Sequence, residues 1–174
     1  MFLESNVRNK FFPVNTSKKI NLNIELQENL LGLQDIKVTS VNVNDGFVVI
    51  FAESKMNFAI CPKCHNLTKD VHDYRIQEYE HLYICDKVTI IHLKVHRYVC
   101  PCDLAHPFDE IFPFIRKYQR QTIPFEKYIF ELCIKNTIKN VAGLVQISEN
   151  KIQRIYNYYA KIKYAEKPQV PLIF

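Results

Sequence analysis

Apolar positions change period along this chain, and the changes predict its elements. In Glu25 to Leu33, ELQENLLGL, the residues Leu26, Leu30, Leu31 and Leu33 fall near one helical face, and Gly32 stands where a helix would end. Ile36 to Val43 and Phe47 to Glu53 then alternate at period two on either side of Asn44-Asp45-Gly46, and Asp-Gly between two such runs predicts a β-hairpin. Further strands are predicted at Asp73 to Tyr79 and Lys87 to Cys100. In the latter, Ile91, Leu93 and Val95 alternate with His92, Lys94 and His96, giving one buried and one wet face. Pro107, Pro113 and Pro124 punctuate the next stretch, and beyond Pro124 the period becomes about 3.6. Phe125, Ile129, Leu132 and Cys133 predict a helix with Pro124 in its first turn. A second helix is predicted over Ile138 to Val145. A third opens at Ser148, a good N-cap, with Ile152, Ile155, Tyr159 and Ile162 along one face.

This order predicts an α+β fold. A loose arm over residues 1–24 leads into a helix, β-hairpin and cysteine-bearing strands over 25–115, a helical domain over 116–164 and a tail over 165–174. There is no internal repeat. Three short helices with a tight turn between the last two match a helix-turn-helix: Ala142 is small where two helices would cross, Ile147 is the apolar plug of the turn, and Ser148 opens the next helix. The opposite face of that third helix carries Asn150, Lys151, Gln153, Arg154 and Asn157, which can reach base edges or phosphates from the major groove. Double-stranded DNA is the partner this pattern points to. A plain three-helix bundle with a solvated polar face is the alternative.

Composition narrows the classes. At 174 residues, 48% hydrophobic and 24% charged, the chain can bury a core in one domain or two small ones. Three glycines argue against glycine-rich phosphate loops and dinucleotide fingerprints. MFLESNVRNK has no apolar stretch of signal-peptide length, and the longest apolar run, Phe47 to Ala52, is far below the roughly 18 residues a membrane span needs. The expectation is a cytoplasmic protein with no membrane partner. The net charge of +5 is concentrated from Gln121 to Phe174, with 8 basic against 4 acidic residues, which suits an anionic partner or a lysine-rich solvated face.

Reduced thiols in that compartment point the six cysteines toward metal or burial. Cys61-Pro62-Lys63-Cys64 and Cys100-Pro101-Cys102 sit at the ends of predicted strands, and two close-set pairs separated by a β-hairpin describe a zinc ribbon. Each turn presents two thiolates to a Zn²⁺ that takes four donors, which makes the metal structural and leaves no open position for a catalytic water. His106 competes for the fourth position; Cys102 is favoured, with His106 as its substitute. A catalytic dithiol at Cys61 and Cys64 would call for a strand-to-helix turn, whereas strands flank this motif. Cys85 and Cys133 stand alone in apolar settings and are assigned to ordinary burial.

CPKC, VHDYR at Val71 to Arg75, HRYVCPC at His96 to Cys102, FPFIRKYQRQT at Phe112 to Thr122 and the helix-turn-helix, in that order, resemble the N-terminal part of the ISL-three family of insertion-sequence transposases. LLGL at Leu30 to Leu33 with the first hairpin resembles its start. The resemblance implies a zinc ribbon and a helix-turn-helix that together bind the terminal inverted repeats of the element, in transposition and DNA recombination, at the bacterial nucleoid. In the family a ribonuclease-H-like domain with an acidic triad follows, and no residue here matches that triad. The expectation is therefore a non-catalytic DNA-binding protein, a truncated or domesticated transposase or an N-terminal fragment of one, acting on transposon ends or a related promoter site. Arg116, Lys117 and Arg120 are expected at phosphates, and the helix from Ser148 in the major groove. A homodimer on two half-sites is one form this takes. Where the family usually has glycine after each knuckle and in the helix-turn-helix turn, this chain has His65, Asp103 and Gln146, so left-handed backbone is expected at residues that carry side chains. The second knuckle is also one residue longer before Phe108. A protein-interaction module docking through the ribbon and Tyr74 to Tyr83, and a metal-dependent enzyme with an open zinc position, are the competing classes.

Overall fold

The computed structural model describes residues 31–165. The expected arm, most of the helix expected at Glu25 to Leu33, and the expected tail beyond Ala165 lie outside them. Of that first helix, Gly32 is described, with the left-handed φ of 59° that a helix end favours. Among the described residues, seven strands precede three helices: β1 (Ile36–Val43), β2 (Phe47–Ser54), β3 (Ala59–Ile60), β4 (Leu67–Thr68), β5 (Val71–Ile84), β6 (Lys87–Cys100), β7 (Asp103–Asp109), α1 (Ile123–Lys135), α2 (Ile138–Val145) and α3 (Glu149–Ala165).

β6 organises the larger sheet, whose order is β1-β2-β6-β5. Along one edge it pairs antiparallel with β5. Its other edge is shared between β2, parallel over Val88 to Lys94, and β7, antiparallel over Arg97 to Cys100. The parallel register is pinned where Lys87 Nζ donates to the carbonyls of Asn44 and Asp45, at 2.8 and 2.9 Å, in the β1–β2 turn. As the alternation predicts, Ile91, Leu93 and Val95 are buried, together with Ile36, Val38, Val48, Ile50 and Ala52, and Phe112 and Phe114 pack over them. Each such aliphatic side chain contributes roughly 1.5–3 kcal/mol through burial.

β5 runs well past the predicted Asp73 to Tyr79, because its C-terminal half changes partners. Tyr79 is buried with the sheet core, while Leu82 and Tyr83 pack against the helices, so no single alternation describes the strand. β7 was not anticipated, since Pro107 reads as a strand breaker. It is tolerated because β7 pairs only with β6, and Pro107 falls in the stretch of β7 that the register skips. β5 and β6 join through Cys85 and Asp86, with φ of 51° and 62°, the two positive values of a two-residue type I′ hairpin turn. That turn exposes Cys85, correcting the expectation of burial; Cys133 is half-buried.

The helices share a second core of Phe125, Ile129, Val141, Val145, Ile147, Ile152 and Ile155. Thr137 caps α2 through its hydroxyl, which accepts from the Asn140 N–H at 3.3 Å. Ala142 packs against the core, and Ile147 is buried in the turn before α3. Tyr159 is half-buried, but Ile162 is exposed, so the apolar face of α3 ends about one turn earlier than its spacing predicts.

Candidate metal centre and nucleic-acid interface

Two tight turns build the metal centre. The first knuckle lies between β3 and β4, where the Cys61 N–H donates to the Asn66 carbonyl and the His65 N–H to the Cys61 carbonyl, both at 2.9 Å. His65 takes the left-handed φ of 60° that closes this turn. The second knuckle is the Pro101-Cys102 turn between β6 and β7, closed by the pairing of Cys100 with Asp103. Because Asp103 is already in a strand, it is not among the left-handed residues, which corrects the expectation drawn from the family's glycine.

The four sulfurs of Cys61, Cys64, Cys100 and Cys102 lie within 4.8 Å of one another, with Cys61 Sγ 3.6 Å from Cys102 Sγ and Cys64 Sγ 3.5 Å from Cys100 Sγ. A tetrahedron with Zn–S bonds of about 2.3 Å has edges of about 3.8 Å, so the cluster fits Zn²⁺. Its electrostatics fit as well. Backbone N–H donors, that of Cys64 foremost, pull the Cys61 thiol down to about 6, close to the charged form a metal requires. Hydrogen bonding to the sulfurs of Cys100 and then Cys64 keeps the proton on Cys102 and pushes its thiol well above its ordinary value, a proton that a bound cation would displace. The four clustered cysteines fit a structural Zn²⁺, to which they would offer four thiolates.

His106 lies outside the cluster. Its Nδ1 is 2.8 Å from Asp103 Oδ1, and its side chain is exposed. Asp103 also accepts from Lys63 Nζ at 2.8 Å, which ties the first knuckle to the second. Lys63 and then His106 hold the Asp103 carboxyl down at about 2.

The helical third presents a different surface. On α3, Asn150, Gln153, Arg154 and Asn157 are exposed on one side while Ile152 and Ile155 are buried on the other. Gln153 Nε2 donates to Asn157 Oδ1 at 2.9 Å. Exposed Ser148 precedes the helix, and its carbonyl accepts from the N–H groups of Lys151 and Ile152 at 2.9 and 3.1 Å. Gln146 ends α2 in the left-handed region, φ 53° and ψ 37°, as its position in the turn requires. Lys151 is half-buried, its Nζ 3.8 Å from Glu80 on β5, so one residue of the polar face leans back on the sheet.

Of the three cations expected at phosphates, Lys117 and Arg120 are exposed. Arg116 is not free for that role. Its Nε and Nη2 donate to the two carboxylate oxygens of Glu126 at 2.6 and 2.8 Å, and its guanidinium lies 3.7 Å from the centre of the Tyr158 ring. The Glu126 side chain is 0% exposed and also accepts from the Tyr159 hydroxyl at 3.1 Å. Arg116 therefore belongs to a buried cluster that joins the loop before α1 to both α1 and α3. From the sequence, Tyr159 is expected only on the apolar face of the third helix, and no role is expected for Glu126 or Tyr158. The available signal was Glu126 standing four residues before Phe130, on a second helix face that is buried.

Residues 58–102 match the family model described as the zinc-finger of transposase IS204/IS1001/IS1096/IS1165. That stretch contains all four clustered cysteines and stops before His106. Residues 110–160 match the helix-turn-helix domain of transposase family ISL3. No curated protein and no solved structure matches the chain. The two matches together span more than half of the 174 residues and coincide with the metal centre and the three helices. No helix among the described residues is long and apolar enough to cross a membrane. A zinc ribbon and a DNA-binding helix-turn-helix in this order place the chain in the ISL3 transposase family.

Proposed function

We propose that the protein binds duplex DNA sequence-specifically, at transposon terminal inverted repeats or a related promoter site, and that the residues present here carry no catalytic step of their own. The observation that carries this reading is the two-sidedness of α3. Ile152 and Ile155 anchor it in the core, and Asn150, Gln153, Arg154 and Asn157 are left on the exposed side. Such side chains suit a major groove: Asn and Gln address adenine, and Arg addresses guanine or a phosphate. Lys117 and Arg120, exposed in the loop before α1, are the candidate phosphate contacts.

The ribbon's part is architectural. Its zinc holds the β6–β7 turn against β3 and β4, and β6 continues into the sheet on which the helices rest. The test is binding of the zinc-loaded protein to labelled duplexes selected by it from a random-sequence pool, followed over a range of salt. Affinity that falls with salt and drops at least tenfold in Arg154→Ala and Asn150→Ala supports the reading. No salt-dependent binding to any duplex overturns it.

The protein-interaction alternative draws on exposed Tyr74 and Ile76 of β5. Tyr79 and Tyr83, however, are already used inside the protein. DNA binding unchanged by the α3 substitutions would favour that alternative.

A further inference from the structure

We infer that the loop from Arg116 to Arg120 is a second DNA-contacting element, in which the Tyr118 ring packs on a nucleobase while Lys117 and Arg120 take phosphates on either side. The inference rests on the DNA-binding reading above and extends its contact surface beyond α3.

Three observations lead to it. The Gln119 N–H donates to the Arg116 carbonyl at 3.0 Å, closing a four-residue turn with Lys117 and Tyr118 at its centre. Tyr118 has a φ of 64°, at the third position of that turn, where Gly or Asn is the usual occupant. An aromatic residue there is strained, yet Tyr118 is 88% exposed and contributes almost nothing to the core. Within the protein the ring has a cation for company, Lys117 Nζ at 5.0 Å from its centre.

The turn is also held rigidly beside the reading helix. At one end Arg116 is locked onto Glu126 and Tyr158, so the loop is fastened to α1 and to the middle of α3. At the other, Arg120 Nη1 donates to Gln77 Oε1 at 2.7 Å, and its backbone carbonyl accepts from the Glu80 N–H at 2.8 Å. Arg120 shares a surface hollow with Lys151 at the start of α3. On the sheet side, Tyr118, Lys117, Arg120 and Tyr79 line a groove of about 530 Å³, which Glu110 and the Arg75–Asp109 ion pair also line. An exposed aromatic ring between cations, on a turn with both ends fastened, matches the chemistry of nucleobases: a π-face for stacking and phosphates for the charges.

The chain contains no tryptophan, so Tyr118→Trp introduces a unique fluorophore at the proposed contact. The zinc-loaded protein carrying Tyr118→Trp is titrated with the selected duplex. The expected result is a change in emission on binding and protection of the ring from acrylamide. Tyr118→Asn removes the ring with a residue that accepts the backbone conformation, and is expected to weaken binding by about tenfold with the salt slope unchanged. Lys117→Ala and Arg120→Ala are each expected to reduce that slope by about one. Tyr118→Phe keeps the affinity. If Arg154→Ala abolishes binding while Tyr118→Asn binds like the parent and the tryptophan emission is indifferent to duplex, this inference fails and the DNA-binding reading stands. If no duplex binds the parent protein, both fail.

Discussion

The metal-bearing turns and the helical third solve the same problem by opposite means. β3 and β4 have two residues each, and among them Ile60 is 60% and Leu67 55% exposed. Apart from Thr68, and Cys61 in the turn between them, they bury little, so the ion must supply what a core does elsewhere. The three helices and the Ile147 turn between them bury seven apolar side chains in a cluster of their own, and none of the clustered cysteines lies there. Order around the knuckles is conditional on an ion, whereas order in the helices is written into side-chain packing.

The largest effect follows from removing the ion. Chelation, or Cys64→Ser, is expected to release residues 58–68 and the β6–β7 turn while the helices persist. Structural zinc in small domains is worth roughly 10–16 kcal/mol of apparent binding free energy. Amide hydrogen exchange of the apo protein checks it: lost protection in β3 and β4 with protected α1 and α3 is the expected pattern. Melting of the helices along with the ribbon would break the comparison.

Within the helical third, the weak point is polar. Arg116→Ala leaves the Glu126 carboxylate buried without its cation and is expected to cost about 3–5 kcal/mol, read from urea denaturation. Combining R116M with E126L should recover most of that loss, because replacing both partners leaves no stranded charge. A loss in the double variant as large as in the single one would mean that the pair supplies more than mutual neutralisation.

His81 tests the seam between the two regions. It is buried on β5, with Nδ1 2.8 Å from the Thr122 hydroxyl just before α1, and burial holds its imidazole down at about 4. Its folded-state pKa lies below the unfolded value near 6.5, so the unfolded chain binds the proton more readily. The stabilisation is complete above that value and is lost as pH falls through about 4. The cost approaches about 3 kcal/mol at the bottom of that window. Urea midpoints measured from pH 7 to 4 should fall accordingly, and His81→Gln should flatten the dependence.

The smallest effect sharpens the contrast at its turns. Gln146→Gly relieves a left-handed residue and should stabilise by about 0.5–1 kcal/mol, after allowing for the greater freedom of the unfolded glycine chain. Asp103→Gly should destabilise, because Asp103 is not left-handed and holds Lys63 and His106. Thermal melting of the two variants should shift in opposite directions.

The helical third was the more legible region. α2 matches its predicted bounds at both ends, and the features that mark them are local: Thr137 caps one end, and the turn at Gln146 and Ile147 closes the other. The hairpin and the Lys87 to Cys100 strand were equally plain, because their alternation is carried by one face of one sheet. Legibility failed where a segment answers to distant partners. β5 divides its buried side chains between two cores, β7 pairs only with β6, and Arg116 meets a Glu126 carboxylate whose other partners come from α3. At the metal centre the residue types and spacing identified the four cysteines. That His106 is engaged by Asp103 could not be read from spacing.

The position of β6 has a bearing on synthesis. It is the sixth of seven strands, yet β2, β5 and β7 all pair with it, and it ends in the cysteine that begins the second knuckle. On the ribosome, Cys61 and Cys64 emerge before Cys100, 36 positions beyond Cys64, has left the exit tunnel. The β1–β2 hairpin must meanwhile wait with the edge of β2 unpaired and Val48, Ile50 and Ala52 uncovered. Completion of the sheet and closure of the metal site thus fall at nearly the same moment, when β6 leaves the exit tunnel. Until then the nascent chain exposes a sticky strand and two vacant thiols, and a cell short of zinc would meet this protein first as an aggregation problem.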